Sequence, residues 1–212
     1  MNKYLKTLIG ALTITAFTVS SAYSGMGVSL MYGKVETDGT ETERTVSGVT
    51  SEKTSASKSE NYIGGSIFAE TEYAGLTIGL DVVPFKIKLG DGKRTDTTSD
   101  ANETTQEDGT VTAEANLDYL TTIYAHYPIG DWYAGLGYHM TRVSTDETLH
   151  TSSYGDENIN GLQYAIGRNA GSLRYELSYS DFDDISLTST NGDNISADAD
   201  NLMFKLSYVL GN

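Results

Sequence analysis

The stretch LDYLTTIYAHYPIGDWYAGLGYHMT, residues 117–141, is the clearest indication of the fold because it holds two alternating segments on either side of one tight turn. Large residues recur at every second position before the turn, and the same pattern begins again at Trp132. Alternation with period 2 is typical of a β-strand with two different faces, and Pro128-Ile129-Gly130-Asp131 has the composition of a turn. The stretch therefore predicts two antiparallel strands joined by a hairpin.

Six further segments alternate in the same way: 26–33, 63–70, 76–83, 161–167, 173–180 and 202–210. Every second connection is short, at 72–75, 128–131 and 169–172, while the others are long polar stretches near 37–60, 90–110, 144–157 and 181–200. An even strand number with short turns on one side and long loops on the other is typical of a bacterial transmembrane barrel. We predict an all-β fold, an eight-stranded antiparallel up-and-down transmembrane β-barrel with short periplasmic turns and long extracellular loops. A secreted β-sandwich or lipocalin-like barrel is the alternative.

The composition excludes several classes of protein. The 212 residues include 29 acidic and 14 basic side chains, and the formal net charge of −15 disfavours an extended nucleic-acid-binding face. The absence of cysteine excludes a disulfide framework, a thiolate nucleophile and a Cys-ligated zinc site. The chain has no second long apolar run, which excludes a helical membrane bundle but not a β-barrel, whose strands are apolar on one face only.

The N-terminus has the three parts of a secretory signal peptide: a basic start, an apolar stretch over 7–19 and small residues over 20–22. The apolar stretch is shorter than the roughly 20 residues that a membrane-spanning helix needs. We predict that residues 1–22 are a cleaved signal peptide and that residues 23–212 form the outer-membrane barrel. An uncleaved anchor or a buried helix is the alternative.

The C-terminal strand FKLSYVL, residues 204–210, alternates apolar and aromatic residues with polar ones. In this strand, and in its overall architecture over 25–212, the chain resembles the small eight-stranded outer-membrane barrels of the OmpA/OmpX type from Gram-negative bacteria. It departs from the family's assembly signal by ending in Leu-Gly-Asn instead of a terminal aromatic residue. The resemblance implies location in the cell outer membrane and transient contact with periplasmic chaperones and the barrel-assembly machinery.

The alternation slips by one residue around Pro84, where the large residues shift from Val82 to Phe85, Ile87 and Leu89. Proline has no backbone N–H to donate to a β-ladder, so we expect a bulge near the outer rim. Beyond this bulge, residues 85–89 and 111–116 are predicted to continue as a hairpin that projects above the membrane.

Alternation places six charged residues on the inward face of the barrel: Glu70, Asp81, Asp118, Arg174, Glu176 and Lys205. His126 and His139 lie nearby. An unpaired charge inside the barrel costs several kcal/mol, so we expect these groups to pair with one another or to contact water. Pairing predicts a salt-bridge plug, and the alternative is an ionic gate across a narrow pore.

The width of the lumen bears on this choice. Eight strands enclose a space that side chains nearly fill, which excludes a general-diffusion porin. Six inward glycines are nevertheless expected to leave room for water and for slow ion leakage: Gly64, Gly79, Gly135, Gly137, Gly161 and Gly167.

Residues at the two ends of the barrel are expected to contact the membrane surfaces. Tyr73, Tyr127 and Trp132 lie beside the short turns and predict an interfacial aromatic girdle. Lys34 and Arg142 lie near the outer ends of outward faces and are candidate contacts for lipopolysaccharide phosphates.

The long polar stretches contain most of the acidic residues, 22 of the 29, in 37–60, 91–115, 144–157 and 181–200. This composition is typical of solvated loops that resist aggregation. Calcium bridging is the alternative, but the stretches lack the 12-residue spacing of a calcium loop, so we predict no metal site.

A lipid A-modifying hydrolase is a further alternative. The fragment His150-Thr151-Ser152, with Glu157 following, is loosely similar to the His-x-Ser dyad of the lipid A deacylase family. A base next but one to a serine on a strand faces the same side and can activate it. No oxyanion donor accompanies the fragment, so we predict no catalytic residue and no enzymatic activity.

These patterns predict an integral outer-membrane barrel with a structural or surface-interaction role, such as membrane integrity or adhesion. Outer-membrane lipids and lipopolysaccharide are the expected partners, and we expect a monomer with no cofactor and no nucleic-acid partner. A narrow ion or small-solute pore, gated by Arg174, Glu176 and Lys205, is the main alternative.

Overall fold

A computed structural model describes residues 24–44, 51–96, 109–148, 153–190 and 192–210. The predicted signal peptide lies outside the described residues. In the part of the chain that the structure describes, no helix is long and apolar enough to cross a membrane.

The described residues form ten strands in one antiparallel sheet. The strands are β1 (Ser24–Arg44), β2 (Ser51–Tyr73), β3 (Leu76–Val82), β4 (Ile87–Asp96), β5 (Gly109–Ile129), β6 (Trp132–Glu147), β7 (Glu157–Ala170), β8 (Leu173–Phe182), β9 (Ile185–Thr188) and β10 (Asn194–Leu210).

The sheet closes into a ring because β1 pairs with β10 as well as with β2. β3 and β4 occupy one position of the ring, since both pair with β5, and β8 and β9 occupy another, since both pair with β10. The ten strands therefore fill eight positions, which confirms the predicted eight-stranded up-and-down barrel.

The three tight turns at one end of the barrel also match the prediction. Two-residue turns join β2 to β3, β5 to β6 and β7 to β8. Gly75, Gly130 and Gly171 have φ values of 79°, 65° and 65° in these turns, a region that only glycine adopts readily. The ladder between β1 and β10 begins with the pair Met26 and Leu210, and this pair lies at the turn end.

The predicted long connections lie at the opposite end, but much of their length is strand. β1, β2 and β5 contain 21, 23 and 21 residues, about twice the roughly 9–11 that cross a bilayer. The reason is that alternation continues up to and into the polar stretches. Val35 and Leu89 lie just before two of them, Ile185 and Leu187 lie inside another, and all four belong to a buried apolar cluster.

Three irregularities in the strands lie at about the same height and divide the barrel into two parts. The chain leaves the sheet between Val82 and Ile87, β5 shifts register between Asp118 and Thr121, and β8 is separated from β9 by residues 183–184. The first confirms the bulge predicted at Pro84, and the pairing of β4 with residues 109–117 of β5 confirms the predicted hairpin. We call the part between the turns and these breaks the membrane half, and the part beyond them the outer half.

The outer half consists of two facing sheets. One follows the order β9-β10-β1-β2 and the other contains β4, β5, β6 and the start of β7. A cluster of buried apolar residues fills the space between them: Met31, Val35, Val83, Ile87, Leu89, Leu117, Leu120, Val143, Ile159, Phe182, Ile185, Leu187, Ala197, Ala199 and Met203. We call this cluster the outer core.

The membrane half has the opposite polarity. Its outward side chains are large, apolar and exposed, and they include Met26, Val28, Leu30, Tyr32, Ile63, Ile67, Leu136, Leu162, Tyr164, Ile166, Leu177, Tyr179, Leu202, Phe204 and Tyr208. We call this surface the apolar belt. A contiguous apolar surface of this size is stable in contact with hydrocarbon and not with water.

Candidate functional site: the ion-paired interior and the outer rim

Five of the six predicted lumen charges lie together in the membrane half. Arg174 on β8 reaches across the interior to Glu70 on β2, with its two terminal nitrogens 2.8 and 2.7 Å from the two carboxylate oxygens. Lys205 Nζ lies 3.0 Å from Glu176 Oε1 and 3.2 Å from Asp81 Oδ2. We call Glu70, Asp81, Arg174, Glu176 and Lys205 the ionic cluster. Each of the five residues is buried.

Tyrosine hydroxyls complete the coordination of the two glutamates. Tyr124 donates to Glu70 and Tyr133 donates to Glu176, each at 2.7 Å. The His126 ring stacks between the two tyrosine rings, with centroid distances of 4.5 and 4.2 Å. Charges that are paired and hydrogen-bonded in this way avoid the penalty of a buried lone charge.

A second polar group of residues lies beside the outer core. His139 is held between Thr122, 2.7 Å from Nδ1, and Ser180, 2.8 Å from Nε2, while its ring stacks on Phe182. Only 1% of His139 and none of Ser180 is exposed. Both ring nitrogens of His139 therefore have hydrogen-bond partners, and the buried pair offers no access to a substrate.

The expectation that inward glycines leave room for water is wrong. A side chain from a neighbouring strand, or from the segment between β3 and β4 in the case of Gly64, covers each of them. A Cβ on Gly167 would lie 2.1 Å from the Tyr133 ring, and one on Gly137 would lie 2.7 Å from Gln163 Oε1. Seven inward glycines carry an aromatic or histidine ring in this manner: Gly27 under Phe68, Gly33 under Tyr62, Gly64 under Phe85, Gly79 under Tyr124, Gly135 under His126, Gly161 under Phe182 and Gly167 under Tyr133. The glycines admit rings, and the rings fill the lumen.

Asp118 does not belong to the ionic cluster, contrary to the prediction. Its carboxylate bonds to Arg142 and to Ser144 at 2.9 Å each, and Lys86 lies 3.9 Å away. Tyr119, with a φ of 52°, forms the bulge that reverses the alternation of β5, so Leu117 points inward and Asp118 points toward the outer wall. Pro84 made the shift after β3 predictable from the sequence, whereas no glycine or proline marks the bulge at Tyr119.

The two candidate lipopolysaccharide contacts lie on the outer wall above the apolar belt. Lys34 pairs with Glu36 at 2.5 Å, and Arg142 contacts Asp156 at 3.4 Å as well as Asp118. Both side chains are nearly half exposed, at 45% and 47%. Each therefore has free surface as well as an acidic neighbour.

The three predicted girdle aromatics lie at the turn end with exposed side chains. The exposed fractions of Tyr73, Tyr127 and Trp132 are 67%, 62% and 52%. Arg168 lies over the Trp132 ring at 5.8 Å, a cation–π contact at the same end.

His150 and Ser152 lie outside the described residues, and Glu157 accepts a hydrogen bond from the backbone N–H of Ser186 at 2.6 Å. Among the described residues, no group of three or more His, Asp and Glu side chains is placed to hold a metal ion.

Neither a protein-family model nor a curated protein sequence matches the chain. Among solved structures, the chain is similar to the outer membrane protease OmpT of Escherichia coli, with a TM-score of 0.52 at 8% identity over 88% of this chain and 97% of that one. The Ail protein of Yersinia pestis is also similar, at 11% identity over 88% of this chain and 99% of that one, with a TM-score of 0.46. Likewise, the outer membrane protein OprG of Pseudomonas aeruginosa has a TM-score of 0.46 at 11% identity over 88% and 97%. At such identities the similarity to OmpT concerns the fold alone, and that fold is the outer-membrane β-barrel.

Proposed function

We propose that this chain is a sealed outer-membrane barrel with a structural and surface-contact role, and that it neither conducts solutes nor catalyses a reaction. The observation that carries the proposal is that two groups of buried side chains lie one above the other inside the barrel. The ionic cluster and its tyrosines fill the membrane half, and the outer core fills the outer half.

The outer core argues most strongly against the alternative of a gated pore. Opening the ionic cluster would leave fifteen buried apolar residues between it and the outer surface. An ion that passed through them would lose its hydration without gaining a partner, at a cost of many kcal/mol. A gate formed by Arg174, Glu176 and Lys205 would therefore have no continuous water path to control.

The outer wall of the outer half supports the surface-contact part of the role. Register pairing places three rows across β2, β1 and β10: Ser59, Glu36 and Asp200; Ser57, Asp38 and Asp198; and Ser55, Thr40 and Ser196. Hydroxyl and carboxylate groups keep such a wall hydrated and unaggregated. A rigid, acidic wall that projects beyond the membrane is suited to contact with other surface molecules.

Lipopolysaccharide and outer-leaflet lipids are the proposed immediate partners. The apolar belt supplies the hydrocarbon contact, and Lys34 and Arg142 supply cations above it for phosphate groups. We also propose the contacts with periplasmic chaperones and the assembly machinery, on the basis of the terminal strand over 204–210, and a monomeric state.

Single-channel conductance of folded residues 23–212 in a planar bilayer tests the proposal. Folding is first established by the shift in gel mobility on heating. We expect no channel activity from the wild type or from Arg174→Ala, because the outer core stays in place. Arg168→Ala, at an exposed turn-end arginine, is the matched control for loss of a positive charge. Reproducible current steps that change in Arg174→Ala and not in Arg168→Ala would overturn the proposal in favour of the pore.

The same protein preparation tests the hydrolase alternative. Incubation with lipid A followed by mass spectrometry is expected to show every acyl chain retained. Loss of an acyl chain that disappears in both His150→Ala and Ser152→Ala would establish the hydrolase instead.

A further inference from the structure

The barrel wall has an interruption between β2 and β4. The ladder between β2 and β3 ends at Ile67 and Val82, and beyond it β2 pairs with β1 only, while β4 pairs with β5 only. Within the described ranges, no backbone ladder joins β2 to β4. We call this interruption, from Gly64 and Phe85 outward to Lys58 and Gly90, the β2–β4 seam.

The opposite side of the barrel has a comparable gap between β7 and β9, but backbone groups bridge it. The N–H of Asp183 donates to the carbonyl of Asn160 at 2.7 Å, and the N–H of Thr190 donates to the carbonyl of Ser153 at 3.0 Å. Tyr154 and Ser189 form a β-bridge between these two contacts. The β2–β4 seam is thus the weaker of the two gaps.

Side chains cover the β2–β4 seam where backbone bonds are lacking. The Phe85 ring lies over Gly64 so closely that a Cβ there would be 1.8 Å from the ring. Farther out, the aliphatic stem of Lys58 lies over Gly90, at 3.3 Å from a Cβ built on it. A ring held by packing alone can move aside with a rotamer change, whereas a hydrogen-bonded strand cannot.

Both sides of the cover are apolar. Outside, Ile63 is 75% exposed and marks the top of the apolar belt, and Pro84 is exposed beside it. Inside, Phe85 packs against the outer core, in which Met31, Val83 and Leu89 are each at most 3% exposed. A path through the seam would therefore lead from hydrocarbon to an apolar interior without crossing a polar layer.

We propose that the β2–β4 seam is a lateral binding site for an acyl chain of an outer-leaflet lipid, with Phe85 as its displaceable cover. The lipid is the occupant because the seam opens at the upper edge of the apolar belt, where hydrocarbon is already the neighbour. This inference rests on the membrane location in the proposed function. Lys86, the residue after the cover, has a side chain 49% exposed that pairs with Asp146 at 2.9 Å.

Fluorescence quenching by vesicle lipids with brominated acyl chains tests the site. Trp132 is the only tryptophan, so Trp132→Phe gives a dark background in which Phe85→Trp reports on the seam. Tyr32→Trp, on the apolar belt, is the control for full lipid contact. Phe182→Trp is the control for a ring that covers a glycine beside the gap between β7 and β9, which backbone groups bridge. Phe182 is 5% exposed and lies over Gly161.

We expect the Phe85→Trp protein to lose most of its fluorescence, as the Tyr32→Trp protein does, while the Phe182→Trp protein keeps most of its own. Quenching of Phe85→Trp no greater than that of Phe182→Trp would overturn the inference. Failure of Tyr32→Trp to be quenched would instead show that the belt is not in lipid, which would overturn the proposed function as well.

A cysteine variant gives a second readout that does not depend on tryptophan packing. The chain has no cysteine, so Phe85→Cys carries a single thiol. We expect it to react with a membrane-soluble maleimide and to resist a charged, water-soluble one. Reaction with the water-soluble reagent alone would identify the seam as a water-filled opening and would contradict the lipid assignment.

Discussion

In the membrane half, the residues that point outward are apolar and the interior holds charges, whereas in the outer half the outward rows are hydroxyls and carboxylates and the interior is apolar. The same strands run through both halves, and the polarity reverses within a few residues. The solvent changes from hydrocarbon to water at that level, so each half presents to its surroundings the groups that they tolerate. Closure alone therefore does not determine what fills a barrel.

The largest expected effect comes from breaking the interior of the membrane half. Arg174→Ala leaves Glu70 buried without its bidentate partner, and removing one partner of a buried ion pair typically costs about 3–5 kcal/mol. We expect a loss of this size in the free energy of unfolding, measured by denaturant titration in lipid vesicles. Arg168→Ala, whose side chain is 53% exposed at 3.6 Å from Asp131, is the control and should change it by less than about 1 kcal/mol.

The paired variant Glu70→Leu with Arg174→Leu sharpens this test. It removes both charges, so it is expected to be less destabilised than Arg174→Ala. An equal or greater loss in the double variant would mean that packing volume, and not the unpaired charge, stabilises the interior at this level.

A somewhat smaller effect is expected in the outer half. Leu117→Ala opens a cavity in the outer core, where Leu117 is 1% exposed, and such substitutions cost about 2–5 kcal/mol. Hydrogen exchange of backbone amides should show faster exchange in β4 and β9, while amides of β8 keep their protection. Ser57→Ala, on the outward wall, is the control. Equally accelerated exchange in β8 would show that the two halves unfold as one unit.

The smallest effect concerns the outward wall. Asp184 shares a hydrogen bond with Asp198, and this contact, together with the charge of Asp184, raises the pKa of Asp198 above its ordinary value. A carboxyl whose folded pKa is raised stabilises the fold fully below its unfolded pKa, and that stability is lost as pH rises through the folded pKa. We expect Asp198→Asn to be the more stable protein at pH 7, with the difference shrinking toward pH 4 in denaturant titrations. A difference that is the same at both pH values would contradict the assignment.

Much of this architecture could be predicted from the sequence because alternation reports directly on two-faced strands. The eight ring positions, the tight turns and the bulge at Pro84 all follow from period-2 patterns and from residues with restricted backbones. The placement of Asp118 could not be predicted, since Tyr119 forms a bulge without glycine or proline. The outer core was also missed, although Ile185 with Leu187 and Ala197 with Ala199 carry its alternation, because acidic neighbours hid these short apolar pairs in a polar stretch.

Contacts between side chains across the interior could not be predicted from the sequence for another reason. Arg174 and Glu70 are 104 residues apart, and only the closed ring brings β8 opposite β2. The pairing of each inward cation with a carboxylate depends on the relative height of the two side chains, which the registers of all the intervening strands determine. Period-2 patterns give the face of each residue but not its height relative to residues on distant strands.

Each glycine that is covered by a ring of a neighbouring segment has a consequence for errors in strand pairing. A slip by one residue would turn apolar groups to the wrong side and would be rejected by polarity, but a slip by two residues preserves the entire pattern. Such a slip would move Tyr133 from Gly167 onto a residue with a side chain, where no space for the ring exists. Five pairs of neighbouring strands have at least one glycine covered by a ring: β1–β2, β3–β5, β5–β6, β6–β7 and β7–β8. In these pairs the volume of the ring excludes a misalignment that the hydrophobic pattern alone would allow.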